Sequence, residues 1–283
     1  MLDRSNSWGV IITNFADGTQ PPTAPGTSVT PAASSGAYPA YLEILGNTSD
    51  ETFFMEVTFS GNDTAAEARN TLVKLGFDFA GGTTYTDLEI SDLMASCAST
   101  MAGAGGGLGI TYSFPIRLPA GTAVAATAST ESATARTLSV WIRLYGKPSH
   151  PELIRYGTEV RTYGSTFASS SGTVITPGTA AEGAYADLGT LADDVWWWEF
   201  GVGVSDSTMA ARVLHFDLSV GDATNKKAVI QNALVATTAS ETITKLGSGA
   251  YCETKSGDHV YGRAQNSASN DSNYSMIAYG VVG

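Results

Sequence analysis

The chain has 283 residues, of which 43% are hydrophobic and 15% are charged, and its formal net charge at pH 7 is −12. This length allows two domains that each bury their own core. The acidic balance excludes the basic surface that nucleic-acid-binding proteins need. Since charge is scarce, Ser, Thr, Asn and Gly must cover the surface, which is typical of virion or extracellular β-proteins and of chains covered by partners.

The N-terminus reads MLDRSNSWGVIITNF and contains one short apolar run behind Asp3 and several polar residues. That run is too short for a transmembrane helix, and it lacks the charged and apolar regions of a signal peptide. We therefore expect synthesis in the cytoplasm, no export by the standard route and no membrane insertion.

Two stretches of the chain resemble each other. Residues 26–31 (GTSVTP) match residues 172–177 (GTVITP), and Gly36-Ala37-Tyr38 matches Gly183-Ala184-Tyr185. An aromatic segment follows in each copy, TFFMEVTFS and then VWWWEFGVGV. Because further landmarks recur in the same order, we interpret the chain as a duplicated domain rather than a chance likeness of Gly/Ser/Thr-rich sequence.

The later landmarks are further strands and one short helix per copy. TLVKLGFD matches VLHFDLSVGD, the turn at Gly121 matches that at Gly257, and LSVWIRLYG matches YSMIAYG. Between them, Thr86 and Glu89 form a capping box. Apolar residues at helical spacing follow it, and a weaker run occupies the second copy: Ile90, Leu93, Met94, Cys97 and Met101, then Ile230, Ala233, Leu234 and Thr237.

The remaining runs alternate in polarity and are separated by turn residues, which predicts half-buried strands. The sequence therefore predicts a mainly β protein with two tandem β-sandwich domains of jelly-roll type, each with one short inserted helix. The first domain spans residues 1–147 and includes an N-terminal arm. Residues 148–164, with Pro148 and Pro151, form a linker, and residues 165–283 form the second domain.

Candidate reactive groups are few. The histidines, His150, His215 and His259, show no metal-ligand spacing, so we expect structural or surface roles, no metal and no cofactor. Cys97 and Cys252 are expected to be free thiols rather than a pair. The glycine-rich stretch at residues 102–109 lacks the Lys of a phosphate-binding loop and is expected to be a loop.

Two carboxylate pairs, Asp87 with Glu89 and Asp193 with Asp194, are candidates for glycoside hydrolysis. The second pair more simply indicates a solvated turn before a strand. Sequence alone leaves both interpretations open.

Three consecutive tryptophans are the most unusual feature of the chain. In a strand, Trp197 would point to one face, and Trp196 and Trp198 to the other. Phe53 and Phe54 occupy the matching strand of the first copy. These five residues are our candidate interface or ligand platform. Three explanations stay open: packing within the fold, a subunit interface, and a surface on which sugar rings stack.

The segment YSFPIRLPAGTAVAATAST, residues 112–130, resembles structural proteins of tailed bacteriophages. The likeness lies in a strand, the turn Leu118-Pro119-Ala120-Gly121-Thr122 and a second strand of small residues. The second copy keeps Gly257 but lacks the Leu-Pro. This resemblance implies a non-enzymatic virion part that assembles around a capsid or tail.

Three functions follow as hypotheses. The first is a structural virion component, such as a capsid decoration, collar, tail or fibre-attachment protein, whose partners are copies of itself and other virion proteins. The alternative is a carbohydrate- or receptor-binding adhesin for a host-surface glycan, which predicts exposed Trp196, Trp198 or Tyr185. The third is a glycan hydrolase or lyase, which predicts two carboxylates, or a His with a carboxylate, converging in one groove.

Overall fold

A computed structural model describes residues 11–14, 26–33, 35–61, 70–95, 110–131, 137–146, 155–204, 212–237, 243–246, 249–266 and 274–283. These residues form β-strands and one short 3-10 helix, Phe167–Ser169, and the described part of the chain contains no α-helix. Nor does it contain a helix long and apolar enough to cross a membrane. The protein is therefore mainly β.

The first half, residues 11–146, builds two sheets. Its strands are β1 (Ile11–Thr13), β2 (Thr27–Val29), β3 (Ala32–Ala33), β4 (Leu42–Leu45), β5 (Phe54–Gly61), β6 (Thr71–Asp78), β7 (Leu88–Met94), β8 (Ile110–Phe114), β9 (Ala123–Thr130) and β10 (Leu138–Tyr145). One sheet has the order β1-β10-β5-β8, with β2 also on β10, and the other has the order β3-β9-β6-β7, with β4 also on β9. The first and last strands are thus neighbours.

The second half, residues 155–283, builds two further sheets. Its strands are β11 (Glu159–Tyr163), β12 (Ser165–Thr166), β13 (Ser171–Ile175), β14 (Ala186–Thr190), β15 (Val195–Val204), β16 (Arg212–Gly221), β17 (Lys226–Thr237), β18 (Ile243–Leu246), β19 (Ala250–Thr254), β20 (His259–Asn266) and β21 (Tyr274–Val282). The orders are β12-β13-β21-β15-β19, with β11 also on β21, and β14-β20-β16-β17-β18.

The two halves share one strand order. The central strands β10, β5 and β8 correspond to β21, β15 and β19, and β9, β6 and β7 correspond to β20, β16 and β17. Even the parallel pairing of β3 with β9 recurs, as the parallel bridge between Gly178 and Gln265. Two sheets in which the first strand pairs with the last are the arrangement of a jelly roll.

Alternation explains why these segments are strands. On β5, Met55, Val57 and Phe59 are fully buried, while Glu56 and Thr58 between them are half-buried. Side chains of a strand point alternately to opposite faces, so one face of β5 lies on a core. Each half has a cluster of buried residues that draws on both of its sheets, which is the packing of a β-sandwich. The cluster of the first half also includes residues of the second: Val160, Trp196, Ile277, Tyr279 and Val281.

The predicted inserted helices are wrong where the chain is described, because their segments are the strands β7 and β17. Each strand contains a bulge, and at each bulge a non-glycine residue has a positive φ: 60° at Asp92 and 53° at Asn232. The extra residue changes the apolar spacing from two to three, as between Ile90 and Leu93. That spacing imitates a helix. Cys97 and Met101 lie outside the described residues.

The predicted linker, residues 148–164, is described from residue 155 onward. Within it, β11 pairs with β21 over five residues, from Glu159↔Val282 to Tyr163↔Ala278. The strands of the second half therefore begin inside this segment. Pro148, Pro151 and His150 lie outside the described residues, as does the glycine-rich stretch at residues 102–109.

Candidate functional site at the contact between the two halves

The tryptophan strand β15 lies between the two cores. Its pairing with β19 is irregular between Val195 and Trp197, so the alternation of side chains is broken there. Trp196 and Trp197 both pack with the core of the first half, and Trp198 packs in the core of the second. The prediction that Trp196 and Trp198 share one face is therefore wrong, because a bulge separates them.

Most of the predicted platform is buried within the chain. Trp196, Trp198 and Phe53 are 3%, 0% and 4% exposed. Trp197 and Phe54 are half-buried and meet edge to face, with ring centroids 6.5 Å apart. The exposure of Trp196 and Trp198 that a sugar-stacking surface requires is not found. Whether this strand also contributes to a contact between subunits stays a prediction.

The outer face of β15 and β21 lies against the first half. We call Trp197, Glu199, Gly201, Gly203 and Tyr279 the covered face. The indole Nε1 of Trp197 donates to the Ser113 carbonyl over 2.8 Å, and the Ser113 amide donates to the Glu199 carboxylate over 3.1 Å. Ser113 lies on β8, which ends its sheet, so these side chains satisfy backbone groups of an edge strand.

Two glycines permit this close approach. A Cβ on Gly201 would overlap the Tyr112 hydroxyl and the Met94 side chain. A Cβ on Gly203 would overlap the Asn70 side chain and lie 2.8 Å from the Met94 sulfur. The second half can therefore lie flat against β7 and β8 only because these two positions carry no side chain.

Asp92 is the polar centre of the contact. Its carboxylate accepts hydrogen bonds from the Tyr38 hydroxyl over 2.6 Å and from the Ser165 hydroxyl over 2.7 Å. The backbone carbonyl of Asp92 accepts a hydrogen bond from the Tyr279 hydroxyl over 2.9 Å. That hydroxyl in turn accepts a hydrogen bond from the Met94 amide over 2.8 Å. The bulge at Asp92 points these groups at the second half. Asp is one of the residue types that tolerate a positive φ.

Burial controls the ionisation of this centre. Burial, reinforced by the Asp92 carboxylate, raises the pKa of Tyr38 well above its usual range. Burial also raises the pKa of Tyr279 well above its usual range. Both phenols therefore keep their protons at neutral pH and remain hydrogen-bond donors.

A second set of polar groups fixes the far end of the contact. The Asn70 amide donates to the hydroxyls of Ser171 and Ser275 over 3.0 Å and 3.1 Å. The hydroxyls of Ser129 and Ser170 lie 2.8 Å apart, and Tyr38 stacks on Phe167 with centroids 4.7 Å apart. Buried polar groups that satisfy one another this way specify one arrangement of the surfaces that carry them.

Two adjoining grooves run beside this contact. One, of about 600 Å³, lies between β7 and β11 and is lined by Asp87, Glu89 and Glu159 among others. The next, of about 460 Å³, shares Arg161 and Thr162 with it. Glu89 accepts a hydrogen bond from the Tyr41 hydroxyl and pairs with Lys74, so it is held by its own neighbours. The Thr86–Glu89 capping box is not formed, since Glu89 lies on a strand.

The other predicted acidic pair lies at the turn before β15. The Asp193 carboxylate forms a salt bridge with the Arg161 guanidinium, with 3.0 Å between oxygen and nitrogen. The Asp194 carboxylate forms one with the Lys255 ammonium over 2.6 Å. The bond to Lys255 and the Ser256 amide lower the pKa of Asp194. Both side chains are about half exposed, in keeping with a solvated turn.

The outer face of the second half brings together groups that are far apart in sequence. His259 Nδ1 lies 2.8 Å from an Asp187 oxygen, and its Nε2 lies 3.4 Å from the Thr190 hydroxyl. Arg263 bridges Glu182 and Asp217, and burial together with Asp217 raises the pKa of Glu182. His259 and Asp187 are 42% and 49% exposed, so this pair is not enclosed from water.

In the part of the chain that the structure describes, no three His, Cys, Asp or Glu side chains come together as metal ligands. Cys252 carries a free, half-buried thiol. His215 is exposed on β16.

Sequence reasoning missed the residues that form the contact. Asp92, Asn70, Tyr279 and Glu199 carry it, and none belongs to a local motif. Their partners lie far away in sequence, as Asn70 and Ser275 show with a separation of 205 residues. The tryptophan run was the available signal, because one of its three explanations was packing within the fold.

No protein-family model matches the chain, and no curated protein matches it. Among solved structures, the chain is similar to PNGF-II (8% identity, 91% of this chain and 65% of that one, TM-score 0.36). It is also similar to PNGase F, a glycosylasparaginase from Flavobacterium meningosepticum (10% identity, 90% of this chain and 96% of that one, TM-score 0.32). A third similar chain belongs to Sulfolobus turreted icosahedral virus (10% identity, 96% of this chain and 90% of that one, TM-score 0.36). This chain thus spans about two thirds of PNGF-II, and TM-scores of this size establish no shared function.

Proposed function

We propose that this protein is a non-enzymatic structural component of a phage virion that acts through protein–protein interfaces. In this proposal the chain is a tandem duplication of one jelly-roll sandwich, located in the virion. One observation carries it: the two halves have the same strand order and pack on each other through a buried contact that combines apolar side chains, hydrogen bonds and two glycines. This packing of one half on the other supports the proposal, because a symmetric assembly requires a fold that binds copies of itself.

The phage-like segment supports this proposal by its local structure. Residues 112–130 run from β8 through a turn into β9, and the turn glycine, Gly121, has a φ of 89°. Gly257 takes the same place in the second half, with a φ of 93°. The strand–turn–strand form implied by the resemblance is thus present in both copies, although the second lacks the Leu-Pro.

The proposed partners are copies of this chain and other virion proteins. Neither nucleic acid nor a membrane is a proposed partner, because the net charge of −12 gives no electrostatic attraction to either kind of anionic surface. No cofactor enters the proposal.

The carbohydrate-binding alternative has less support. Trp196 and Trp198 are buried, and the Tyr185 ring is approached by Arg263 and Lys226, whose charged groups lie 4.4 Å and 5.2 Å from its centroid. A sugar ring needs an open aromatic face on which its C–H groups can lie. The enzyme alternative has two sets of groups: His259 with Asp187 on an open sheet face, and Asp87, Glu89 and Glu159 in the groove between β7 and β11, where Glu89 is already paired with Lys74.

The test is the solution mass of the purified full chain by light scattering over a wide range of protein concentration. The proposal predicts a discrete assembly of several chains. A folded monomer at every concentration would contradict self-association. Catalytic turnover of a glycan by that monomer, lost in His259→Ala, would favour the enzyme alternative instead.

A further inference from the structure

Tyr251, on β19, is the most exposed large apolar side chain among the described residues, with 61% of its surface open to solvent. The strand β19 ends its sheet in the described part of the chain and pairs with the tryptophan strand β15, where Trp197 lies opposite Tyr251. A tyrosine this exposed keeps at least one face of its ring in water. That face is apolar surface on which a ligand can lie.

The neighbours of Tyr251 hold its ring in place. The ring centroid lies 6.2 Å from that of Trp196, which is buried, and the Arg155 guanidinium carbon lies 5.1 Å from the centre of the Trp196 ring. The Tyr251 hydroxyl donates to Glu253 Oε1 over 2.8 Å, and Arg155 Nη1 donates to the same oxygen over 3.2 Å. The ring and the polar groups are thus fixed relative to one another before a ligand binds, which lowers the entropic cost of binding.

The polar groups beside the ring can form further hydrogen bonds. A carboxylate offers several acceptor positions on its two oxygens, and both hydrogen bonds to Glu253 end on Oε1, so Oε2 can accept one from a ligand hydroxyl. The guanidinium of Arg155 has several N–H donors and can also donate to a ligand oxygen. The side chains of Arg155 and Glu253 are 46% and 57% exposed, so a ligand can reach both.

The charges around the ring cancel. Arg155 pairs with Glu253, and Lys255, two residues further along β19 and its turn, pairs with Asp194 over 2.6 Å. This surface therefore has no net charge, in a chain whose formal net charge is −12. A neutral ligand with many hydroxyls fits that balance better than a charged one, because a charged ligand has to compete with an existing ion pair.

We propose that Tyr251, Arg155 and Glu253 form a binding site for a neutral saccharide. The C–H face of a pyranose ring lies on the exposed face of Tyr251, and the sugar hydroxyls donate to Glu253 and accept from Arg155. Trp196 and Trp198 cannot take this role because they are buried, and Tyr251 supplies the open ring that they lack. The inference goes beyond the proposed structural function and does not depend on it, because it concerns a ligand and not a contact between subunits.

The test presents the labelled full chain to an array of neutral oligosaccharides of glucose, galactose, mannose and N-acetylglucosamine, with oligosaccharides of uronic acids beside them. Isothermal titration then measures the affinity for the neutral oligosaccharide that binds best. We expect Tyr251→Ala to weaken binding by about tenfold or more, because it removes the stacking surface, and Tyr251→Phe to stay within about threefold of the wild type. Tyr185→Ala is the matched control and should bind like the wild type, because Arg263 and Lys226 approach that ring.

The outcomes that overturn the inference differ from those that overturn the proposed function. Absence of binding to every neutral oligosaccharide would exclude the site, as would equal affinity of the wild-type and Tyr251→Ala chains, each shown to be folded by circular dichroism. A smaller mass of Tyr251→Ala in light scattering would instead place Tyr251 in a contact between chains, against the saccharide site and in favour of the structural function. A monomeric wild-type chain that binds sugar through Tyr251 would support this site and contradict self-association.

Discussion

The two halves place the same sheet face in different surroundings, and their side chains differ accordingly. On β15 the residues toward the first half are Trp197, Glu199, Gly201 and Gly203, and they lie directly on β7 and β8. On β5 the corresponding face carries Glu56 and Thr58, with Arg143 beside them. The covered face thus combines glycines, which allow close approach, with hydrogen bonds from Trp197 and to Glu199, whereas the exposed face of β5 and β10 keeps a charged pair.

The largest effect is expected from filling the covered face. In Gly201→Val the new side chain must displace Tyr112 and Met94, and overpacking of this kind costs about 1–3 kcal/mol, at times more. The free energy of unfolding from urea titration measures it. Thr58→Val, at the matching position on β5, is the control; it removes the hydroxyl that lies 2.8 Å from that of Thr111 and should cost about 0.5–1 kcal/mol. Equal losses in the two variants would show that the faces are not different.

A smaller effect is expected at the two glutamates. Glu199→Ala leaves the buried Ser113 amide without this acceptor, which costs about 1–3 kcal/mol. Glu56→Ala removes a partly exposed ion pair with Arg143 and the acceptor of the Tyr145 hydroxyl, and should cost about 0.5–1.5 kcal/mol. Chemical denaturation of both variants gives the difference, and a Glu56 variant that loses as much as the Glu199 variant would contradict this account.

A still smaller difference in stability is expected between variants of the matching tyrosines, Tyr38 and Tyr185. Tyr38→Phe removes the hydrogen bond to Asp92 and should cost about 1–2 kcal/mol, because the acceptor is charged and partly buried. Tyr185→Phe removes a long contact with Ser219 and should cost less than about 0.5 kcal/mol. Thermal midpoints of the two variants measure this. The same midpoint in both would mean that the hydrogen bond from Tyr38 to Asp92 does not contribute to stability.

Alkaline pH should weaken the contact between the halves. The folded chain holds the protons of Tyr38 and Tyr279 more tightly than the unfolded chain, whose tyrosines titrate near about pH 10. Their contribution is therefore complete below about pH 10 and declines as the pH rises beyond it. Thermal midpoints from pH 8 to 11 should fall less steeply in the Tyr38→Phe, Tyr279→Phe double variant. An unchanged slope would exclude these two groups as its cause.

The sequence revealed the architecture better than the contact. The mainly β class followed from alternation, as on β5, and the duplicated landmarks fall on strands that correspond in the two sheet orders. The prediction of inserted helices was wrong because a bulge, at Asp92 in β7 and at Asn232 in β17, changes the spacing of apolar residues from two positions to three. The prediction that Trp196 and Trp198 share one face of the strand was wrong for the same reason, because a bulge separates them. Pattern rules assume a regular strand, and a bulge is a feature of pairing with a distant segment.

The contact could not be predicted residue by residue. Asp92 receives hydrogen bonds from Tyr38, Ser165 and Tyr279, the last of these 187 residues away. Nothing in the local sequence of any one of them indicates the others. The tryptophan run did mark the region, since one of its readings was packing within the fold, and Trp196 and Trp198 are buried there.

Hydrogen exchange of the wild-type chain, compared between a dilute and a concentrated sample, tests most directly whether the chain associates with copies of itself. Self-association, which the proposed structural function requires, predicts that exchange slows at high concentration in strands with a half-exposed face, while β21, which is buried within the chain, is protected equally in both samples. Exchange that is the same at both concentrations throughout the described strands would contradict the account.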